Sequence, residues 1–256
     1  MVDSIDTGVY LKFFKGREDY FAQQTEDGYS PVNKAFNEYY LEKHLMGNST
    51  FGIYVLNRNS FCHFFCIDID IPRELLNEVN YRDASVKYCF LKGKISIVVK
   101  TLLEKMGIPS ESILLEDTGG RGYHIWVFFS EAIKGSIVFA LGELLKKHLD
   151  FEIEFFPKQG VLTARRKLGN LIKLPLGIHK KYNLRSCFLR LVSLDKLLPI
   201  DNIFGNIEYL NSIQQITTDL IENLIGATME PIYQPHADYS ETIYRSGRTQ
   251  FGGGPE

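Results

Sequence analysis

The run Phe64-Phe65-Cys66-Ile67-Asp68-Ile69-Asp70-Ile71 constrains this chain more than any other stretch. It reads as a strongly apolar β-strand carrying two carboxylates at i and i+2. Side chains two apart on a strand share a face, roughly 6.5–7 Å apart along the backbone. Ile67, Ile69 and Ile71 then fill the other face. Two aspartates on one side of a buried strand repel each other unless something compensates. A pair of divalent cations, about 3.5–4 Å apart in two-metal sites, is the natural compensation. The plainer alternative is a pair of surface carboxylates on an edge strand, and the apolar flanks argue against it.

The 256 residues suffice for one large domain or two interleaved subdomains. With 45% hydrophobic and 23% charged residues the composition is that of a soluble globular enzyme. A net charge of −2 excludes a globally basic nucleic-acid coat, while 29 Lys and Arg leave room for a local basic groove. The 14 Tyr and 18 Phe give scope for stacking on bases. Cys62-His63-Phe64-Phe65-Cys66 resembles a zinc fragment, but on a strand the two thiols lie about 13 Å apart, too far to share one ion. Cys62, Cys66, Cys89 and Cys187 show no disulfide spacing and read as reduced thiols of a cytosolic protein. No long apolar run and no signal peptide is present, so a cytoplasmic location without membrane contact is expected.

The pattern predicts β-structure over 8–14, and a turn leading into a helix or ordered loop over 16–22. A helix is expected over 33–46, stopping at Gly47, and a short strand over 51–56. Asn57 to Ser60 reads as a hairpin turn into the Asp68/Asp70 strand. The longest helix is expected over 83–106, with Val86, Phe90, Ile97, Val98 and Leu102 on its apolar side. Strands follow over 113–116 and 123–129, joined by the glycine-rich turn Thr118-Gly119-Gly120-Arg121-Gly122. An amphipathic helix over 133–149 ends in Lys146 and Lys147, favourable to its dipole. Strands are expected over 151–156, 171–174 and 188–191, and surface helices over 194–198 and 211–224. From residue 230 the Pro, Tyr, Ser and Gly content reads as a linker.

A third carboxylate is needed to hold two ions. Glu152 and Glu154 lie two apart in Phe151-Glu152-Ile153-Glu154-Phe155-Phe156, and alternation alone does not separate them. His124 follows a glycine-rich turn, whose backbone a phosphate can approach closely while Arg and His add donors. A plain hairpin turn with a core histidine explains the same pattern. Lys173 interrupts an apolar run in Leu171-Ile172-Lys173-Leu174-Pro175, which costs free energy unless an anion partners it. A triphosphate would serve, and a lysine snorkelling at a strand edge is the rival. Arg165, Arg166 and Lys167 form a basic loop that either follows a nucleic-acid backbone or is simply solvated.

Taken in order, these motifs resemble a known family. A strand bearing Asp68 and Asp70, a Gly122-Tyr123-His124 step, an acidic strand and a Lys173-Leu174-Pro175 segment running on to His179 resemble the archaeo-eukaryotic primase (AEP) superfamily. Gly16-Arg17-Glu18-Asp19, His44-Leu45, Gly120 to Trp126, Glu154 to Gln159 and Gly169 to Pro175 resemble the branch of primase-polymerases found in TOTE conflict systems and the CRISPR-associated primase-polymerases. The match runs from about residue 13 to 192.

The resemblance implies an α+β fold: an AEP catalytic core with an RRM-like antiparallel sheet and helices, packed against an N-terminal α/β module. It implies a catalytic domain over 1–229, with the N-terminal module (about 1–60) interleaved with the core (about 61–192), helices over 193–229, and a linker or tail over 230–256. It implies that Asp68, Asp70 and Glu154 are the catalytic metal ligands for two divalent cations, Mn²⁺ or Mg²⁺. That choice favours Glu154 over Glu152. His124, Lys173 and His179 would bind nucleotide phosphates, with Arg121 and Lys158 as further phosphate or template contacts. The implied activity is that of a DNA primase and DNA-directed polymerase, a nucleotidyltransferase acting on dNTPs or NTPs along single-stranded DNA. The implied partners include other domains of a larger CRISPR or conflict-system protein. Two rivals from other classes are a metal-dependent nuclease and a non-catalytic RRM-like binder of single strands.

Overall fold

The computed structural model describes residues 6–26, 28–194 and 196–229. The expected linker over 230–256 lies outside them. Helix α1 (Thr7–Phe13) starts on Asp6, whose carboxylate accepts from the Gly8 and Val9 amides. The expected strand over 8–14 is therefore a helix. Tyr10, Phe13 and Phe14 recur at three- and four-residue spacing, bury on one side, and a capping aspartate stands just ahead of them.

Strands β1 (Phe21–Gln24) and β2 (Tyr29–Val32) form an antiparallel pair; of the segment expected to be a turn leading into a helix or ordered loop, residues 16–20 are loop and Phe21 and Ala22 enter the sheet. Helix α2 (Glu38–Leu45), capped by Asn37, is shorter than the 33–46 expected. Strand β3 (Phe51–Tyr54) is buried along its whole length.

Strand β4 (Phe61–Asp70) carries the two aspartates. The Asn57–Ser60 turn exists, with the Ser60 amide donating to the Asn57 carbonyl, but β3 and β4 do not form a hairpin. β3 pairs with β1, and β4 opens a different sheet. The turn is a crossover between sheets.

Helix α3 (Ala84–Glu104) is capped by Asp83. Its buried side is Leu91, Ile95, Val98, Val99 and Leu102, while Val86, Phe90 and Ile97 are exposed. The helix carries two apolar stripes, and the one that packs also turns Lys87 inward, where Asp117 receives its ammonium. Next come β5 (Ile113–Asp117), β6 (Gly122–Lys134), α4 (Gly135–Lys147) and β7 (Glu154–Phe156). Strand β7 is shorter than the 151–156 expected, which leaves Glu152 outside it.

Then follow β8 (Leu171–Lys173), β9 (Ile178–His179), β10 (Leu184–Arg185), β11 (Cys187–Ser193) and β12 (Lys196–Pro199). In the stretch expected as a helix over 194–198, Lys196 to Leu198 thus belong to an edge strand paired to β11. The helix expected over 211–224 is two helices, α5 (Ile203–Ser212) and α6 (Thr218–Met229). Buried Asn206 ties α5 to β11, accepting from the Phe188 amide at 2.6 Å and donating to the Ile200 and Asn202 carbonyls.

The fold is α+β with two main antiparallel sheets. The larger has the order β12-β11-β5-β6-β4-β7, and the smaller β2-β1-β3-β8. Register gives the large sheet two distinct faces. Phe64, Cys66 and Asp68 lie opposite Phe128, Trp126 and His124 on one face. Phe65 and Ile67 share the other face with Phe155, against which Gly142 of α4 packs so closely that a Cβ would meet the ring. On the first face Phe14 of α1 meets the Trp126 and Phe128 rings edge-on, at 5.1 and 5.3 Å. The small sheet reaches this face too, because Lys173 of β8 donates to Glu116 of β5. Among the described residues no helix is long and apolar enough to cross a membrane.

His44 locks the small sheet to the segment after β8. Its Nδ1 accepts from the Phe51 amide at 3.1 Å, so Nε2 carries the proton donated to the Pro175 carbonyl at 2.8 Å. Burial and the nearby Lys173 charge push its pKa from 6.5 down to about 3. The unfolded chain protonates this ring below pH 6.5 and the folded chain does not until about 3, so the stability it contributes falls as pH falls through that window. Between pH 7 and pH 5 the wild type should lose roughly 2 kcal/mol more than His44→Gln. Denaturant melts of both proteins at the two pH values measure this, and equal pH dependence would refute it.

Candidate active site

The site is built on one row across the large sheet. Glu116 of β5 lies opposite His124 of β6, His124 opposite Asp68 of β4, and Asp68 opposite Glu154 of β7. Four ionisable residues from four strands therefore stand side by side, because antiparallel register aligns them and period-two alternation turns neighbours to a common face. Asp70 lies two residues along, opposite Gly122. A side chain at Gly122 would collide with Asp70 Oδ1 and the Ile69 carbonyl. Only glycine lets the second aspartate lie flat against β6. Gly119 has φ +66°, and the Leu184 and Arg185 backbone packs against it.

Above this row lies a cleft of about 460 Å³ between the two sheets, and the β9–β10 hairpin forms part of its wall. Of the eight residues singled out from sequence, Asp68, Asp70, Arg121, His124, Lys173 and His179 line it. Glu154 and Lys158 do not. They pair with each other at 2.6 Å and are largely exposed. The Lys158 ammonium also lies 4.6 Å from the Phe156 ring centroid.

The charges in the cleft are unevenly satisfied. Burial raises the pKa of Asp68, and repulsion from Asp70 and Glu154 adds to it, against His124 and Arg121, so that it stands at about 7. Among the described residues its buried Oδ1 has no hydrogen-bond partner, and His124 Nε2 lies 3.9 Å away. Asp70 is likewise shifted up by burial, although Arg121 opposes this and forms an ion pair with it. Arg121 also donates to the Ile71 carbonyl. His179 is pushed down to about 4 by burial and by Lys173. Its Nδ1 is buried and has no hydrogen-bond partner among the described residues, and its ring meets Tyr182 at 4.5 Å.

Sequence reasoning missed Glu116, the most buried carboxylate of the site at 0% exposure. Its Oε2 accepts from His124 Nδ1 at 2.8 Å and from Trp126 Nε1 at 2.9 Å, and its Oε1 from Lys173 Nζ at 3.2 Å. Burial alone would raise its pKa. Lys173, His124 and the hydrogen bonds outweigh that and pull it down to about 2, so Glu116 is ionised. The anion that buried Lys173 requires is thus a protein carboxylate, reinforced by the Leu174 carbonyl and Ser186 Oγ. Burial lowers the pKa of His124, but Glu116 and Asp68 reverse this and leave it raised. In the sequence Glu116 looks like the polar end of Ile113-Leu114-Leu115-Glu116. Only the register against His124 reveals it.

The donor set fits a hard cation in its chemistry. It offers carboxylate oxygens, one of them buried without a partner. Among the described residues, however, no three His, Cys, Asp or Glu side chains are gathered closely enough to hold one ion, since Arg121 holds Asp70 and Lys158 holds Glu154. Cys62 and Cys66 are free and buried.

The chain thus combines an α+β fold with opposed acidic and cationic groups in one cleft. The family described as the TOTE conflict system archaeo-eukaryotic primase domain matches residues 6–224, and this chain belongs to it. That membership is consistent with primase-polymerase activity and with nucleotide and nucleic-acid substrates, in a family that typically uses divalent metals. The AEP domain of the cyanophage S-2L primase-polymerase is similar to this chain, with a TM-score of 0.39 at 12% identity over 76% of this chain and 88% of that one. No curated protein matches.

Proposed function

We propose that this domain is a primase-polymerase that starts and extends primers on single-stranded DNA by two-metal nucleotidyl transfer. The observation that carries the reading is the unpartnered, buried Asp68 Oδ1 beside Asp70, on the floor of a cleft that Lys173, His124 and Arg121 make cationic. Burying an unpaired carboxylate is costly, and a site for a divalent cation accounts for that cost.

Asp68, Asp70 and Glu154 would hold the metals, with Arg121 and Lys158 releasing Asp70 and Glu154 as they bind. Bound there, Mg²⁺ or Mn²⁺ supplies Lewis acidity toward the attacking hydroxyl and the departing pyrophosphate. The chain's own part is positioning and charge. His124 presents Nε2 into the cleft and His179 lines it toward the triphosphate, while Lys173, whose three donors are held by Glu116, the Leu174 carbonyl and Ser186, contributes charge. Arg121, freed from Asp70, and Lys158, freed from Glu154, then become cations available to phosphates or template. Tyr182, which meets His179 at a tilt and Tyr81 edge-on, offers an aromatic face for a base. The domain extends over 1–229, and the cytoplasm and a larger conflict-system or CRISPR protein are its expected setting.

The test is incubation of single-stranded DNA with Mn²⁺ or Mg²⁺, with and without dNTPs or NTPs. Lengthened products and primers made de novo are expected. Shortening of the DNA would assign a nuclease, and metal-independent binding without synthesis would assign a single-strand binder.

A further inference from the structure

We propose that Glu116 is the positioning residue of this site, holding His124 and Lys173 as one rigid unit that presents the His124 Nε2 and the Lys173 charge to a triphosphate. The inference rests on the primase-polymerase reading. An ionised carboxylate can only accept hydrogen bonds, so His124 must carry a proton on Nδ1, which donates to Glu116 at 2.8 Å. That orients the ring with Nε2 toward Asp68 and the cleft. The Trp126 indole donates to the same oxygen at 2.9 Å and blocks rotation of the carboxylate. The second oxygen takes Lys173 from the other sheet at 3.2 Å, so one side chain sets the width of the cleft between its two cationic walls. Glu116 itself is fully buried and does not line the cleft. It acts through its partners, as carboxylates behind metal-bound or catalytic histidines do.

The experiment uses metal-free protein carrying ¹⁵N-labelled histidine, with inorganic tripolyphosphate as the probe. In the wild type the His124 Nδ1 resonance should report a protonated nitrogen. In Glu116→Gln it should move toward the Nε2–H tautomer, and tripolyphosphate should bind about tenfold more weakly by calorimetry. His124→Ala made on top of Glu116→Gln should cost less than His124→Ala made alone, because the two act as a unit. An unchanged His124 spectrum in Glu116→Gln, or strictly additive losses, would overturn the proposal. Glu116→Asp keeps the charge beside Lys173 and draws the carboxylate back from the ring, so it should give an intermediate spectrum even if Glu116→Gln does not fold. An unaltered spectrum in Glu116→Asp counts against the proposal equally. A wild type that fails to bind tripolyphosphate would count against the primase-polymerase reading, and the tautomer spectrum would still decide the role of Glu116.

Discussion

Asp68→Ala combined with Asp70→Ala should abolish primer synthesis and extension, by at least roughly 10³-fold, the scale on which losing one stabiliser of transition-state charge is felt. The same double variant should melt within about 3 °C of the wild type. The reason for pairing these outcomes is physical. Among the described residues Asp68 Oδ1 makes no hydrogen bond, and its neighbours Asp70 and Glu154 repel it. Removing it deletes an unfavourable burial rather than a favourable contact. Asp70 does lose its ion pair with Arg121, but both groups are partly exposed and such pairs contribute little. Primer-extension gels and thermal melts on the same preparation decide it. Synthesis at wild-type rates by the folded variant would end the metal-site assignment.

Lys173→Met should show the opposite signature in the same cleft. Glu116 is completely buried and ionised, and Lys173 donates to it. Removing the lysine leaves a buried charge short of compensation, which typically costs about 3–5 kcal/mol. For a domain of this size that corresponds to a fall in melting temperature of about 10 °C. Adding Glu116→Gln to Lys173→Met should recover part of the loss, because the uncompensated charge disappears with it. Triphosphate binding should fall in both variants. If Lys173→Met melts like the wild type, the lysine is not the buried partner of Glu116. Asp68 and Lys173 thus separate two kinds of functional residue: one that the fold tolerates at a cost, and one that the fold also needs.

Much of the site was legible before any coordinates. Asp68 and Asp70 announce themselves because carboxylates inside an isoleucine-rich strand contradict its burial. Lys173 announces itself for the same reason. Elements with strong caps or strict periodicity were equally readable, as with α3 behind Asp83 and β4 itself. The misreadings arose where local pattern was ambiguous. Residues 8–14 hold apolar side chains dense enough for either period, and Asp6 settles the matter by capping a helix. Lys196–Pro199 becomes a strand because β11 offers an edge to pair with, not because of any propensity of its own. α3 has two usable apolar stripes, and the packed one is chosen together with the burial of Lys87 against Asp117.

By itself the sequence determined that a buried strand would carry two acids, that a glycine-rich turn would precede a histidine, and that a lysine would need an anion. Each of these follows from one residue's conflict with its immediate neighbours. The tertiary structure alone decided which groups answer those conflicts. Register across β5, β6, β4 and β7 sets Glu116, His124, Asp68 and Glu154 in one row. The approach of the small sheet makes Glu116 the anion for Lys173, while Asp68 Oδ1 is left without a hydrogen-bond partner among the described residues. Pairings between residues more than fifty positions apart depend on strand order and register, which no short stretch of chain encodes.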